Sequence, residues 1–93
     1  MAEKKRLIAL IFNMTVVFPQ YRKYKNNKSY FKISSLTEWD EIQIIGSNYL
    51  LSKFEVKIMP DRNFIQDMLF DYATNWDVIE EEEYNEQLKS VKK

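Results

Sequence analysis

The sequence predicts a small α+β domain, in which an antiparallel sheet of three or four strands carries one or two C-terminal helices on one face. Residues 41–58 contain two runs of alternating apolar and polar residues around the single glycine of the chain, a pattern typical of a β-hairpin. After Pro60, apolar residues recur with helical spacing. The length of 93 residues, without a linker-like segment, fits a single domain over residues 1–93.

The first apolar segment, residues 7–18, is compatible with a strand or a helix, because either period gathers apolar residues on one face. Its β-branched and aromatic residues favour a strand, and Pro19 ends either element. The preceding basic residues give the outline of a signal peptide, but no small-x-small cleavage site follows. The segment of 12 residues is too short for a membrane span, which needs about 20 apolar residues. We therefore expect an uncleaved cytoplasmic protein with no membrane association.

Residues 19–28 are predicted to be a polar connection with a turn at Asn26-Asn27. The alternating segment Tyr30–Ser34 follows and predicts a half-buried strand, with Phe31 and Ile33 on one face. Residues 34–40 are predicted to be a second connection, with a helical turn near residues 37–41.

Residues 41–58 are predicted to form the central hairpin, with Gly46-Ser47-Asn48 as a three-residue connection. The face expected to receive the helices carries the apolar residues Ile42, Ile44, Phe54, Val56 and Ile58. The opposite face is left to water or a partner, and it carries Gln43, Lys53, Glu55 and Lys57.

Two C-terminal helices are predicted after this hairpin. Pro60 and Asp61 are expected to end the strand, and an amphipathic helix with its N-cap at Asn63 runs to about residue 73. The second helix is predicted to begin near Asp77 and to carry an acidic first turn that suits the helix dipole. A short strand at Trp76–Ile79 is the alternative.

The composition excludes several kinds of chemistry. The chain contains neither cysteine nor histidine and only one glycine. The absence of cysteine excludes disulfides and thiolate metal sites, and the absence of histidine removes the commonest general base and zinc ligand. A single glycine cannot supply a phosphate-binding glycine-rich loop. Consecutive carboxylates in the block Glu80–Glu83 point in different directions along a helix, so they do not converge on a metal. We therefore predict no catalytic residue, no metal and no cofactor.

The zero net charge hides an uneven distribution along the chain. Residues 1–33 contain eight Lys/Arg and one acidic residue, whereas residues 61–93 contain four and nine. In so small a domain we expect these two ends to lie side by side and to neutralise each other in part; a dedicated surface for a charged partner is the alternative. The separated charges also favour an antiparallel, self-complementary contact between two copies of the chain.

The candidate binding residues lie where cations and aromatic rings are interleaved: Tyr21, Arg22, Lys23, Tyr24, Lys25, Lys28, Tyr30 and Lys32. Cations neutralise phosphates and rings stack on unpaired bases, so this composition suits single-stranded nucleic acid. The alternative is a structural role, in which the tyrosines cover the edge of the core and the lysines protect a strand edge from pairing.

The arrangement most similar to a catalytic site is Glu55-Val56-Lys57. Alternation places Glu55 and Lys57 on one strand face, with Asp40 or Glu41 on the approach to the neighbouring strand. This resembles the acid…Glu-x-Lys arrangement of the restriction-endonuclease-like nuclease superfamily. The resemblance implies acids that hold Mg²⁺ beside a scissile phosphate and a lysine that helps to activate water. Gln43 stands about where that family has a metal-binding aspartate.

These observations favour a small non-catalytic accessory or regulatory protein. It is expected to act by binding another macromolecule, either a protein partner or a second copy of itself. The first alternative is single-stranded nucleic-acid binding through residues 21–32. The second is a metal-dependent nuclease-like domain or a degenerate form of one.

Overall fold

The computed structural model describes residues 7–11 and 14–92, with side chains from residue 16 onwards. This part of the chain forms β1 (Leu7–Ile11), β2 (Met14–Phe18), β3 (Gln20–Tyr24), β4 (Ser29–Ile33), β5 (Glu38–Ile45), β6 (Asn48–Glu55), α1 (Met59–Phe70), β7 (Trp76–Val78) and α2 (Glu81–Leu88). β1 and β2 form an antiparallel pair, and the other described strands form an antiparallel sheet in the order β6-β5-β4-β3-β7. The α+β class is confirmed, with five strands in the main sheet of the described residues.

The N-terminal segment is extended, as its β-branched content indicated, but it is two strands rather than one. The pair runs from Leu7 opposite Phe18 to Ile11 opposite Met14. Residues 12–13, and the basic residues of the signal-like outline within 1–6, lie outside the described residues. Val16 and Phe18 are buried in the main core. Among the described residues, no helix combines the length and the apolar character needed to cross a membrane.

Strands β3 to β6 follow one another as neighbours in the sheet. The turn predicted at Asn26-Asn27 is confirmed: Asn27 has a φ of 62°, and the Asn26 side chain accepts a hydrogen bond from the Lys28 N–H at 2.8 Å. Residues 20–24 form β3 instead of the expected connection, and residues 38–40 already belong to β5. Strand β3 was not predicted because polar or amphipathic side chains occupy both of its faces. Its sequence therefore shows no alternation of apolar and polar residues.

The hairpin itself is confirmed, but it lies at one edge of the sheet rather than at its centre, and its connection is one residue shorter than predicted. Ile45 pairs with Asn48, so Gly46 and Ser47 alone join the strands. Gly46 has a φ of 63°, which glycine adopts without a Cβ penalty at the first position of a two-residue hairpin loop. Because side chains alternate along a strand, an error of one residue in the loop reverses the side-chain faces of β6 relative to β5.

The predicted apolar and polar faces of the hairpin are therefore both wrong. Phe54 is opposite Trp39 and shares its face, whereas Ile42 is opposite Leu51 on the other face. The residues expected on the polar face are divided in the same way, with Gln43 on the Phe54 side, and Lys53 and Glu55 on the Ile42 side. Neither strand has a single apolar face.

The two helices cover opposite faces of the sheet, which corrects the expectation of a single covered face. The α1 face carries Phe31, Ile33 and Trp39, which pack with Ile65, Met68 and Leu69 of α1. The α2 face carries Tyr21, Tyr30 and Ile42, which pack with Ile79 and with Tyr84 of α2. The central strand β4 contributes to both clusters, so it is buried on both sides rather than half-buried.

The helices also begin at other residues than the sequence indicated. Pro60 and Asp61 lie inside the first turn of α1, and the Asp61 carboxylate accepts hydrogen bonds from the N–H groups of Lys57 and Ile58 at 3.0 and 3.3 Å. Such bonds satisfy donors that have no partner within the helix. After α1, Trp76–Val78 is a strand, as the alternative interpretation had it, and α2 begins at Glu81 with three acidic residues in its first turn.

Candidate functional site

The predicted aromatic binding residues lie on the hairpin of β3 and β4, in the interior of the sheet. Tyr21 and Tyr30 are buried, and Tyr24 is half-buried. The ring of Tyr24 lies 5.0 Å from that of Phe31 and 5.6 Å from that of Trp76, measured between centroids. Tyr21 similarly packs 5.5 Å from Tyr84 of α2. These rings are in contact with the core, so their faces are not presented as a stacking platform for bases.

Arg22, the most buried of the predicted cationic binding residues, packs beneath α1. Its Nε donates to the Met68 carbonyl at 2.8 Å, and its Nη1 donates to the Tyr21 carbonyl at 2.8 Å and to the Gln20 side chain at 3.2 Å. The guanidinium also lies 4.6 Å from the centre of the Tyr72 ring. Burial lowers the pKa of Arg22. A cation near the last turn of α1 is favourably placed for the helix dipole. Arg22 therefore stabilises the packing of α1 on the sheet.

Two of the predicted lysines form ion pairs with the acidic C-terminal third of the chain. Lys23 Nζ lies 3.0 Å from Glu83 Oε2, and Lys25 Nζ lies 2.8 Å from Asp77 Oδ1. The hydrogen bond to Glu83 raises the pKa of Lys23. These pairs show that the described part of the basic segment lies beside the acidic C-terminal third and is partly neutralised by it.

The other two predicted lysines, Lys28 and Lys32, lie at the turn that follows β3 and on β4. Lys28 is exposed in the turn between β3 and β4. Lys32 is half-buried on β4, opposite Asp40. The eight residues singled out by their composition therefore serve the core and internal ion pairs to a large extent, and their role in nucleic-acid binding stays a prediction.

Glu55 and Lys57 line a shallow polar depression of about 590 Å³ on the α2 side of the sheet. They contact each other, with Lys57 Nζ 3.7 Å from Glu55 Oε1. Of the two further acids in the nuclease resemblance, Asp40 faces this depression and pairs with Lys53 at 3.2 Å. Glu41 is on the opposite face, where it accepts a hydrogen bond from Ser29 at 2.7 Å.

The acids of the nuclease resemblance are thus divided between two faces. Among the residues whose side chains are described, no three acidic groups lie together as metal ligands. Mg²⁺ is commonly held by one or two carboxylates together with substrate phosphates, and of the acids in the resemblance Asp40 and Glu55 face the depression. The depression offers alternating charges, and the nuclease interpretation stays a prediction.

The outer side of β6 is the most open backbone surface of the sheet. Val56 N–H donates to the Thr37 carbonyl at 2.8 Å, so the even-numbered residues of this strand form their hydrogen bonds with β5. Because bonding direction alternates along a strand, the N–H and C=O groups of the odd-numbered residues point away from β5: Tyr49, Leu51, Lys53 and Glu55. No other described strand pairs with this side of β6.

Apolar side chains on both faces of β6 are exposed beside these backbone groups. Leu50 and Phe54, on the α1 face, are 48% and 41% exposed, and Leu51, on the α2 face, is 37% exposed. The pairing of β6 with β5 is continuous from Glu38–Glu55 to Ile45–Asn48, so no bulge bends the edge away. Proteins usually protect such an edge with proline, bulges, short length or charged side chains. β6 has only the last of these, at Lys53 and Glu55.

The opposite edge of the sheet is protected. β7 has three residues, and the half-exposed Asp77 on it is already paired with Lys25. Short edge strands and charged side chains discourage further pairing. Both edges carry charged side chains, but they differ in length, and of the two it is β6 that offers a long template.

A second feature adjoins β6 on the α2 face. A depression of about 560 Å³ lies between the start of β6 and the C-terminal end of α2, and its apolar walls come from Tyr49, Leu51, Leu88 and Val91. Leu88 is partly exposed there. Lys92 stands at its rim. The apolar surface at this edge thus continues from the strand onto the helix.

The sequence pattern does not predict this surface. It places Phe54 on a buried face and assigns no role to Leu50 or Leu51. The signal was present, because the adjacent pair Leu50-Leu51 puts one apolar side chain on each face of a strand. Such a strand is either buried on both sides or an open edge.

No family model, no curated protein and no solved structure matches this chain.

Proposed function

We propose that this chain is a non-catalytic interaction protein that binds a strand of another protein molecule along the outer side of β6. The observation that supports this proposal is the combination found on one strand: outward backbone groups at Tyr49, Leu51, Lys53 and Glu55, flanked by exposed apolar side chains on both faces. Addition of a strand satisfies the backbone groups, and side chains of alternate residues then supply specificity.

Binding of a strand is favoured mainly by the burial of apolar area that is exposed on the free edge. Its outward N–H and C=O groups are hydrogen-bonded to water, so the exchange of those bonds for bonds to a strand contributes modestly. Burial of apolar area adds about 25 cal/mol for each Å² removed from water. Leu50, Leu51 and Phe54 together provide such area next to the new strand, and the polar rim at Lys53 and Glu55 keeps the edge hydrated when it is unoccupied.

The other surfaces support their alternatives less well. The basic hairpin of β3 and β4 has its tyrosines in the core and two of its lysines in ion pairs. The depression at Glu55 and Lys57 has no cluster of metal ligands among the described side chains. Neither surface combines open backbone groups with exposed apolar side chains.

The test is site-specific photo-crosslinking in the cell. A photoreactive amino acid replaces Ser52 on β6 in one variant and Val78 on the protected edge in the other. We expect discrete cross-linked protein species from position 52, at least fivefold above those from position 78. Equal or absent products at the two positions would contradict strand binding at β6.

Amide hydrogen exchange gives a second measurement on the purified protein. The N–H groups of Leu51 and Lys53 point outward, whereas those of Leu50 and Ser52 bond to β5. With a bound strand, we expect the outward pair to become as protected as the inward pair. Fast exchange at Leu51 and Lys53 in every sample that contains a cross-linked partner would show that the partner does not bind as a strand.

A further inference from the structure

We infer that the strand bound by β6 is β6 of a second copy of this chain, antiparallel and with the two Ser52 residues facing each other. This inference rests on the proposed function, since it names the occupant of the same edge. It requires a strand that is complementary to itself under a twofold rotation, and the residues of β6 meet that requirement.

Symmetry restricts the registers that are possible. A twofold axis perpendicular to the sheet makes both strands antiparallel and keeps the α1 faces of the two copies on one side. Residues directly opposite each other in a sheet share a face. Each pair across the interface therefore joins two odd-numbered or two even-numbered residues. The twofold axis then passes midway between the two copies of a single residue, which face each other.

Among these registers, the one centred on Ser52 uses the whole edge. It places Tyr49 opposite Glu55 and Leu51 opposite Lys53, in both directions. All outward backbone groups of β6 then form hydrogen bonds. The register centred on Leu51 leaves Glu55 outside the pairing. The register centred on Lys53 puts two like charges in direct opposition, which is destabilising.

The side chains on the α1 face fit this register. Leu50 lies opposite Phe54 of the second copy, and Phe54 lies opposite its Leu50. Even-numbered residues occupy the closer, non-hydrogen-bonded positions of the new pair, where side chains are in tight contact. Phe54 is already stacked on Trp39, with the ring centroids 5.2 Å apart, so one apolar band extends from Trp39 of each copy across the interface.

The α2 face adds charge complementarity. Glu55 lies opposite Tyr49 of the second copy, and Tyr49 borders the depression that has Lys92 at its rim. The carboxylate of Glu55 in one copy is thereby brought towards the ammonium of Lys92 in the other, twice in the dimer. Lys53, opposite Leu51, covers that leucine with its aliphatic stem.

Disulfide trapping tests the register. The chain has no cysteine, so each of the variants Leu50→Cys, Leu51→Cys, Ser52→Cys and Lys53→Cys carries one thiol. Facing residues at a non-hydrogen-bonded position have Cα atoms about 4.5 Å apart, within the range a disulfide accepts. Under mild oxidation we expect Ser52→Cys to cross-link at least tenfold faster than the other three. Faster cross-linking at another position, or equal rates at all four, would overturn the inference.

Oligomeric state tests the edge independently. We expect the native chain at 100 μM to have the mass of two chains by light scattering. Leu50→Lys, which puts a cation opposite Phe54, should dissociate the dimer at least tenfold more readily, whereas the matched change Val78→Lys on the protected edge should have no effect. Circular dichroism establishes that both variants fold. A native chain of single mass at this concentration overturns the inference.

The two proposals fail in different ways. If position 52 captures a different protein in the cell while the purified chain stays a single copy, the dimer is wrong and strand binding at β6 stands. If position 52 captures nothing, both are wrong. A dimer that persists in Leu50→Lys but dissociates in Val78→Lys would place the contact at the other edge and contradict both.

Discussion

Strands β4 and β6 both carry apolar side chains on each of their faces, but they have opposite surroundings. In β4, Phe31 packs under α1, and the neighbouring Tyr30 packs under Tyr84 of α2. In β6, Leu50 and Leu51 point to the same two faces and are both exposed. Position in the sheet accounts for the difference, because β4 lies between two strands and beneath both helices, whereas β6 lies at the rim.

This contrast shows that apolar content on both faces of a strand has two meanings. In the centre of the sheet it links two cores and stabilises the fold. At the edge it leaves apolar area and backbone groups for a partner. Substitutions at matched positions of β4 and β6 should therefore separate stability from association.

The largest expected effect is on the core side of the contrast. Phe31 is fully buried, and its ring contacts those of Tyr24, Phe64 and Trp76. We expect Phe31→Ala to lower the free energy of unfolding by about 3–5 kcal/mol, as for other buried phenylalanines. Phe54→Ala on β6 removes a stacking partner of Trp39 and should cost about 1 kcal/mol.

Urea denaturation followed by circular dichroism, at a fixed low protein concentration, measures both changes. An unfolded Phe31→Ala variant agrees with the expectation. Equal destabilisation by the two substitutions would contradict it, since it would mean that β6 is as well covered as β4.

The second prediction concerns pH and the cover over the α2 face of β4. Burial raises the pKa of Tyr84 far above its usual value of 10.0. The unfolded chain therefore releases this proton near pH 10, whereas the folded chain retains it, so stability falls as the pH rises above about 10. One such group contributes at most about 1.4 kcal/mol per pH unit.

Tyr84→Phe removes that contribution while preserving the ring. We expect the variant to lose stability less steeply than the native chain between pH 10 and 12, in urea titrations at each pH. Parallel curves for the two proteins would show that Tyr84 is not buried under these conditions.

A matched pair of serines gives a smaller effect. Ser29 on β4 is buried and donates a hydrogen bond of 2.7 Å to Glu41 Oε2. Ser29→Ala should cost about 1.5–3 kcal/mol, the usual contribution of a hydrogen bond to a charged group. Ser52 on β6 is exposed, so Ser52→Ala should change the free energy of unfolding by less than about 0.5 kcal/mol. A larger loss at Ser52 would reverse the contrast.

The smallest effect is expected at the ion pair beside the protected edge. Lys25 and Asp77 are each about half exposed, although their charged atoms are 2.8 Å apart. Surface pairs of this kind contribute little, so Lys25→Ala should cost less than about 0.5 kcal/mol in 0.15 M salt. Lys23→Ala, at the less exposed pair with Glu83, is the comparison, and it should cost more. Thermal unfolding of both variants at two salt concentrations checks the order.

The sequence predicted the α+β class, a hairpin within residues 41–58 and the turn at Asn26-Asn27 because these depend on local patterns; the place of that hairpin at the edge of the sheet depends on strand order and was not predicted. It misplaced the side-chain faces of the hairpin, because the length of the loop at Gly46 decides which residues of β6 share a face with which residues of β5. A loop of two or of three residues fits the sequence pattern equally well. It missed β3 because burial of Arg22 depends on the Met68 carbonyl in α1 and on the Tyr72 ring, which are distant in sequence.

The candidate edge was harder to predict than the fold. Nothing local distinguishes Leu50-Leu51 at the rim from a similar pair in the centre, because the strand order decides which one is exposed. The ion pairs between Lys23 and Glu83 and between Lys25 and Asp77 followed from the charge distribution as a general expectation. The individual partners depended on where β7 joins the sheet.

The order of the strands also has a consequence for folding kinetics. Residues 20–55 form four consecutive strands joined by short turns, so their contacts are close in sequence and inexpensive in loop-closure entropy. β7 must return to pair with β3 across some fifty residues. The meander is thus expected to nucleate first, and the docking of β7 and α2, which completes the second core, comes after the rate-limiting step.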